Sequence, residues 1–433
     1  MPRHILALPL LLALLVTGCD ETPGRREAGA ADRSFLEARG GDRGPVEGGP
    51  RERGATDRGR ADQPHGTPVP GCADPADPSL TASEKTLLTL PADSWTSAPN
   101  SKLHDTCKTA ATYGDGVYLV SGCSAMVTAW NGGALDTQRQ KMIIWGGGHN
   151  DYGGNEVYAF NLKTFAWEQL TTPSKPPFNK DPLDDGKPVS RHTYDGVEFI
   201  AHRGTILGWG GSRSTDGNGT NLTWEFLPDT KTWTNLGPTP PPAPSPYDFG
   251  LAYDPTSKKV LLHGHSYLGA YDFASNQWSK LLDFGYPPYS GKYDSWDTRV
   301  GAVDPARRLF VSLGGGSSVL VYDIDAGKVL SLAAPWNALD GGAAFLAKPA
   351  PGLDYDHATQ QLVAWAGGAP QALDTSASPH KWSARSSTGA PASAVGAGTY
   401  GRWRYAPRYN VFVLVNGAED DVRFYKHTPA CGQ

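Results

Sequence analysis

Charge is scarce in this 433-residue chain: 19% of its residues are Asp, Glu, Lys or Arg, below the ~25% of an average soluble domain. A coiled coil or long-helix protein, built largely from Ala, Glu, Lys, Leu and Arg, is thereby excluded. No charge sign dominates either. The 39 basic and 44 acidic residues leave a net charge of −5, which gives no electrostatic footprint for nucleic acid. Long apolar runs are missing. The run at 5–16 covers twelve residues, too short to span a bilayer as a helix, and none of membrane length follows. Phosphate-loop and dinucleotide fingerprints are also missing, because the glycine clusters do not follow a strand that opens a helix. What the chain does have is 52 glycines, 36 prolines and 13 tryptophans. A wholly disordered chain would not carry so many aromatics. Abundant turn formers together with abundant aromatics predict an all-β fold of many short strands.

The N-terminus reads MPRHILALPLLLALLVTGC. Arg3 and His4 precede the apolar run, and Val16-Thr17-Gly18 places small residues before Cys19. Residues 1–19 are therefore expected to be a secretory signal. The segment resembles a bacterial lipobox, which implies that Cys19 becomes the lipidated first residue of the mature protein. An exported protein of the bacterial cell envelope follows, periplasmic or at the cell surface, held to the membrane by that lipid alone. Residues 20–70 are Gly, Ala, Pro, Arg, Asp and Glu with almost nothing apolar. Such a segment cannot bury enough surface to offset its ordering entropy and is expected to be a disordered tether. Lysine first appears at Lys85, and residues 71–433 are taken as the folded domain. Four cysteines remain there: Cys72, Cys107, Cys123 and Cys431. An even number in an exported chain suggests two disulfides. Three pairings are open; the favoured one joins Cys107 to Cys123 locally and Cys72 to Cys431 across the ends of the domain.

A repeat with a period near fifty residues runs through that domain. Its clearest copies are KMIIWGGGHNDYGGNEVYAFNLKTFAWEQL, TILGWGGSRSTDGNGTNLTWEFLPDTKTWTNL and KVLLHGHSYLGAYDFASNQWSKLL. Each is an apolar strand ending in small residues, a variable loop, an aromatic strand, a turn, and a tryptophan (Trp167, Trp233, Trp278). Another short strand and turn precede most copies, as in LAYDPTSKK, VGAVDPARR and LDYDHATQQ. Four strands per unit at this period predict a β-propeller of six to seven four-stranded blades. Six units are recognisable, and the tryptophans are expected to cover the gaps between blades. The last unit stops after three strands. DSWTSAP around Trp95 matches its missing outer strand, so N-terminal pairing with the last blade would close the ring. The region 98–125, with GDGVYLVSG, is kept as a possible seventh blade.

A propeller does not name a function by itself, so function is sought in the loops at one mouth. Two loop segments are unusually polar, 146–156 (GGGHNDYGGNE) and 190–194 (SRHTY), the second followed by Gly210-Gly211-Ser212-Arg213. His149 and His192 are candidate general acid and base groups. Tyr194 can exchange a proton if a nearby cation lowers its pKa. Arg213 or Arg191 can clamp a carboxylate bidentately, and Asn131 can donate to the same carboxylate. A clamp, a base and an acid are what β-elimination from a uronic acid requires. His263 and His265 also flank a glycine, but two histidines without a third ligand make a weak metal site.

With those segments in hand, the chain resembles secreted bacterial kelch-type, galactose-oxidase-like propellers. More narrowly it is similar to propeller polysaccharide lyases typified by ulvan lyases. The resemblance rests on WNGGALD (130–136), WGGGHNDYGGNEVYAF (145–160), SRHTYDGVEF (190–199), WGGSR (209–213) and YGRWRYAPRYNVFVLVNG (400–417). It implies seven blades and an active site of histidines, a tyrosine and an arginine, falling on His149, Tyr194 and Arg213. The family's further histidine has no match; Trp130 and Asn131 stand there, which leaves Asn131 in the neutralising role. Copper–tyrosyl oxidase chemistry fits less well, because it needs a free cysteine and the favoured disulfides leave none. The expected function is cleavage of a uronate-containing polysaccharide by β-elimination. The alternative is a non-catalytic propeller that binds glycan or protein. The expected partner is an anionic polysaccharide, not nucleic acid. No cofactor is required, a structural metal ion is compatible, and the chain is expected to act as a monomer.

Overall fold

The structure, a computed structural model, describes residues 71–214, 216–238, 247, 249–264, 267–284, 299–314, 319–332, 350–377 and 380–429. The signal and tether segments, Cys19, His265 and Cys431 lie outside these residues. The described chain folds into six four-stranded antiparallel sheets arranged as a β-propeller. The first blade holds Gly133–Asp136, Lys141–Ile144, Tyr158–Asn161 and Ala166–Gln169. The second holds Val197–Ile200, Thr205–Trp209, Leu222–Leu227 and Thr232–Pro238, and the third Gly250–Asp254, Lys259–His263, Tyr267–Asp272 and Gln277–Asp283. The fourth is Arg299–Asp304, Leu309–Gly314, Val319–Asp323 and Lys328–Leu332; the fifth is Gly352–Asp356, Gln361–Trp365, Gln371–Asp374 and Lys381–Ala384. The sixth has Trp403–Ala406, Val411–Leu414 and Arg423–Lys426 from the C-terminal end of the chain. The first strands of successive blades are neighbours around the axis, and that of the sixth lies beside that of the first.

Short-range sequence explains the hairpins. Four of the six first strands end on a buried aspartate: Asp136, Asp254, Asp304 and Asp356. Each carboxylate accepts hydrogen bonds from two backbone N–H groups of the turn that follows it, as Asp136 does from Gln138 and Arg139 at 3.0 and 2.9 Å. The side chain thus satisfies donors that the tight turn would leave unpaired.

Tryptophans join one blade to the next. Trp233, on the outer strand of the second blade, lies 4.7 Å from Trp145 of the first. Trp278 of the third blade lies 5.4 Å from Trp209 of the second and donates its indole N–H to Thr223 Oγ1. The sixth blade obtains its outer strand from the other end of the domain. Ser94–Ser97 pairs antiparallel with Arg423–Lys426, with Trp95 opposite Tyr425. Trp95 then sits 6.0 Å from Trp365 of the fifth blade and 5.6 Å from Trp403 of the sixth, the same cross-blade position as its counterparts. The helix Ala82–Leu88 ahead of this strand starts with a Thr81/Glu84 capping box. Glu84 also accepts from Tyr409 Oη, and the buried Lys426 ammonium donates to the carbonyls of Leu87, Leu88 and Tyr409. Burial pulls that ammonium down to about 8.

Of the six to seven blades expected, six are present among the described residues, and the region 98–125 does not form the possible seventh. It forms short helical turns at Leu103–Asp105, Ala110–Tyr113, Asp115–Tyr118 and Gly122–Ser124. Cys107 and Cys123 are joined by a disulfide across these turns. Cys72 is also disulfide-bonded; Cys431, its expected partner, is outside the described residues. The helical segment covers the first blade: Ser121 N–H donates to Asp151 O, and Gly153 N–H to Val117 O.

A buried ionic cluster occupies the axis. Arg404 of the sixth blade donates to Glu198 of the second at 2.7 Å. Asp195 accepts from the N–H groups of Leu251 and Gly301, on the third and fourth blades, at 2.9 and 2.8 Å. Asp354 of the fifth accepts from Tyr405 N–H. Glu198, Asp354 and Arg404 line a cavity of about 150 Å³ with Tyr253, Tyr355 and His357. Three carboxylates share one guanidinium in a largely enclosed place, which disfavours ionisation of all three together. Burial raises Asp195 to about 8 and Glu198 to about 7, against the opposing pull of Arg404.

Two predictions follow from this architecture. Trp95→Ala removes a buried cross-blade ring, and about 3–5 kcal/mol of stability should be lost in denaturant unfolding. Leu330→Ala, at a side chain 46% exposed, should change it by less than about 0.5 kcal/mol. The second concerns pH. Because Asp195 keeps its proton in the fold up to about 8 and loses it near 4 when unfolded, its contribution is complete at low pH and declines as pH rises through that window. Asp195→Asn keeps an oxygen for both backbone donors and cannot ionise. It should gain about 1–3 kcal/mol on the wild type between pH 5 and pH 8; parallel stability curves would contradict the assignment.

Candidate functional site

Strand alternation decides which loops share a face. In an antiparallel blade, the loop between the second and third strands opens on the same side as the segment leading into the next first strand. His149 and Asp151 lie in the former loop of the first blade. Arg213 lies in that of the second blade. Trp130 and Asn131 lead into the first blade, and His192 and Tyr194 lead into the second. All the candidates therefore open on one mouth, at the junction of the first two blades. A two-stranded ribbon knits that junction, with Arg191 opposite Arg213 and His192 opposite Ser212.

His192 is the centre of the group. It is buried, with Nε2 3.1 Å from Asp151 Oδ2. Burial holds the imidazole below its ordinary pKa, although Asp151 pulls the other way. The ring is thus neutral at pH 7 and able to accept a proton. Around it stand Trp130 at 5.1 Å, His149 at 6.1 Å and Tyr194 at 6.1 Å between ring centroids. His149 is exposed. Tyr194 is 5% exposed and lies edge-on to Phe249 and Tyr400 as well.

Two glycines make room for the histidines. A Cβ at Gly148, which has φ +81°, would lie 1.8 Å from His192 Cδ2. A Cβ at Gly217, with φ +67°, would lie 2.7 Å from His149 Nε2. Only glycine suits both the left-handed backbone and the close approach.

The expected carboxylate clamp is placed differently from the histidines. Asn131 is wholly buried. Its amide donates to Ala125 O and accepts from Thr193 N–H, while its carbonyl accepts from Arg402 Nε at 2.8 Å. It holds the frame and is not presented to the mouth. Arg191 is likewise buried, paired with Asp181 at 2.7 Å and packed over the Trp145 ring. Arg213 is only partly buried and pairs with Asp216 at 2.5 Å. Its Nε has no hydrogen-bond partner among the described residues. His263 lies apart, with Nδ1 3.0 Å from Ser312 Oγ. Among the described residues no group of three or more His, Cys, Asp or Glu side chains is placed to hold a metal ion.

Sequence reasoning missed Asp151, although it stands two residues after His149 in the same loop. Trp130 was noted only as a neighbour of Asn131. Its exposure was not legible, because an indole beside a strand reads equally well as core. No protein-family model matches this chain, and no curated protein matches it.

Gly148→Ala tests the seating of His192. The variant should fold, with a cost of about 1–3 kcal/mol, and its His192 imidazole should titrate closer to 6.5 by NMR once the ring leaves its buried seat. Gly396→Ala, where an added Cβ meets nothing within 4 Å, should alter neither quantity.

Proposed function

We propose that this protein is an exported, lipid-anchored polysaccharide lyase that cleaves a uronate-containing glycan by β-elimination. The carrying observation is the convergence of two histidines, one braced by Asp151, beside an exposed tryptophan on one face of the propeller. The likeness of its loop motifs to propeller polysaccharide lyases supports the same conclusion, and the Cys107–Cys123 disulfide accords with an oxidising compartment.

The chemistry balances without a cofactor. Neutral His192 takes the C5 proton of the uronate. The C5–H electron pair becomes the C4=C5 double bond, and the C4–O bond breaks toward the leaving sugar. His149, on the open side, is the general acid that delivers a proton to that oxygen. Tyr194 supports His192 from the buried side. Arg213 neutralises the substrate carboxylate by exchanging its Asp216 partner for it.

One observation favours a second reading, a non-catalytic glycan-binding propeller. Each named clamp residue is already engaged: Arg191 with Asp181, Arg213 with Asp216, and Asn131 with backbone groups.

The test is the purified domain on alginate, polygalacturonate, chondroitin sulfate and ulvan, following the ultraviolet absorbance of the unsaturated uronate. Turnover of at least one polymer is expected. His192→Ala and His149→Ala should each lower kcat by about 10²–10⁴-fold. The acidic limb of kcat/KM should lie below the ordinary histidine value of 6.5. No turnover on any uronate polymer would overturn the lyase assignment, and retained binding without turnover would establish the second reading.

A further inference from the structure

Trp130 is the one Phe, Tyr or Trp side chain that is exposed among the described residues, at 42%. Every other described Phe, Tyr or Trp side chain is at least partly buried, and exposure by itself assigns no role. The surroundings of Trp130 add three further observations. The backbone sits at φ +51°, a left-handed conformation that costs a bulky residue energy. That conformation is held from both sides. Trp130 O accepts from Tyr194 N–H at 2.8 Å, and the adjoining Asn131 amide is locked to Ala125 and Thr193. Finally, the indole lies 5.1 Å from His192, tilted by 47°. The base of the side chain is therefore held, the ring is partly open to solvent, and it borders His192.

We infer that Trp130 is a carbohydrate-stacking platform, seating one pyranose ring of an anionic polysaccharide beside His149 and His192. This rests on the glycan-directed function proposed above. The apolar C–H face of a sugar packs on an indole as another aromatic or aliphatic group does. A ring already fixed in place loses little entropy on binding. The platform supplies affinity and places the scissile residue, while the proton transfers remain with the histidines. Trp130 is thus a positioning residue.

The experiment is affinity electrophoresis through gels containing each of the four polymers, run on full-length protein, Trp130→Asn, Trp130→Ala and Trp130→Phe. Asn tolerates the left-handed backbone better than Trp does, so Trp130→Asn should fold at least as well as the wild type. Retardation by the polymer that binds the wild type should weaken by about tenfold or more in Trp130→Asn and Trp130→Ala. Trp130→Phe should keep most of it. Where there is turnover, KM should rise by a similar factor, and the pH profile of kcat should stay in place, showing His192 undisturbed. Affinity in Trp130→Asn within twofold of the wild type would overturn the platform. Wild-type binding with no turnover would remove the lyase function and leave the platform to be judged by the same comparison. No binding of any polymer would overturn both.

Discussion

A propeller depends on one constraint above all: its last blade must be held to its first, because every blade packs its faces on two neighbours. Here the sixth blade, whose first strand lies beside that of the first blade, is completed by four residues, Ser94–Ser97, lying more than three hundred positions from the strand they pair with. Trp95 shows that this is more than a hydrogen-bonded patch. It takes the cross-blade position that Trp233 and Trp278 take in the second and third blades, bridging Trp365 and Trp403. The helix before it is anchored by Glu84 and by the three carbonyls that surround Lys426. A four-residue strand pairing is weak by itself. Burial of Trp95 and satisfaction of a buried ammonium make it durable.

The closure and the candidate site share a frame. Arg402, just ahead of the sixth blade's first strand, is wholly buried and donates to the carbonyl of Asn131, at the entry to the first. Asn131 in turn holds Thr193, and Trp130 holds Tyr194, both at the entry to the second blade. Three blade entries are thus tied in sequence, and the side chains at the far end of that chain are His192 and Trp130. The polar residues divide sharply. Those that are buried and fully engaged (Asn131, Arg191, Arg402) fix the backbone; those that remain open or half-open (His149, Trp130, Arg213) border the mouth.

The blades were legible because their determinants are local. The Asp turns need only the three residues after them, and the strand patterns repeat. Even the distant outer strand could be read, since Trp95 fits a slot that other blades had already defined. The segment 98–125 misled for the same reason. GDGVYLVSG has the look of a strand, but no partner strand lies beside it, and the helical turns pack on the first blade under the Cys107–Cys123 disulfide. In the site, the two glycine-rich loops were visible through their polar content. The role of Asn131 was not, because its burial is decided by Thr193 and Arg402, 62 and 271 positions away. An amide at a turn looks the same in sequence whether it faces solvent or locks two loops together.

The glycines show how fold and site came to share one pattern. In the clearest copies of the repeat, the apolar second strand ends in small residues. At Gly148 a methyl group would overlap His192. At Gly217 the same holds for His149. Both histidines therefore reach their positions only because the backbone beneath them is bare and left-handed. The left-handed φ at both positions favours glycine by itself, and the close approach of the imidazoles adds a second reason. Backbone conformation and imidazole contact thus coincide at Gly148 and Gly217, while Gly146, Gly153 and Gly154 of the first loop abut Asn131, Phe178 and Tyr152, so one glycine-rich loop serves packing and the histidine pair together.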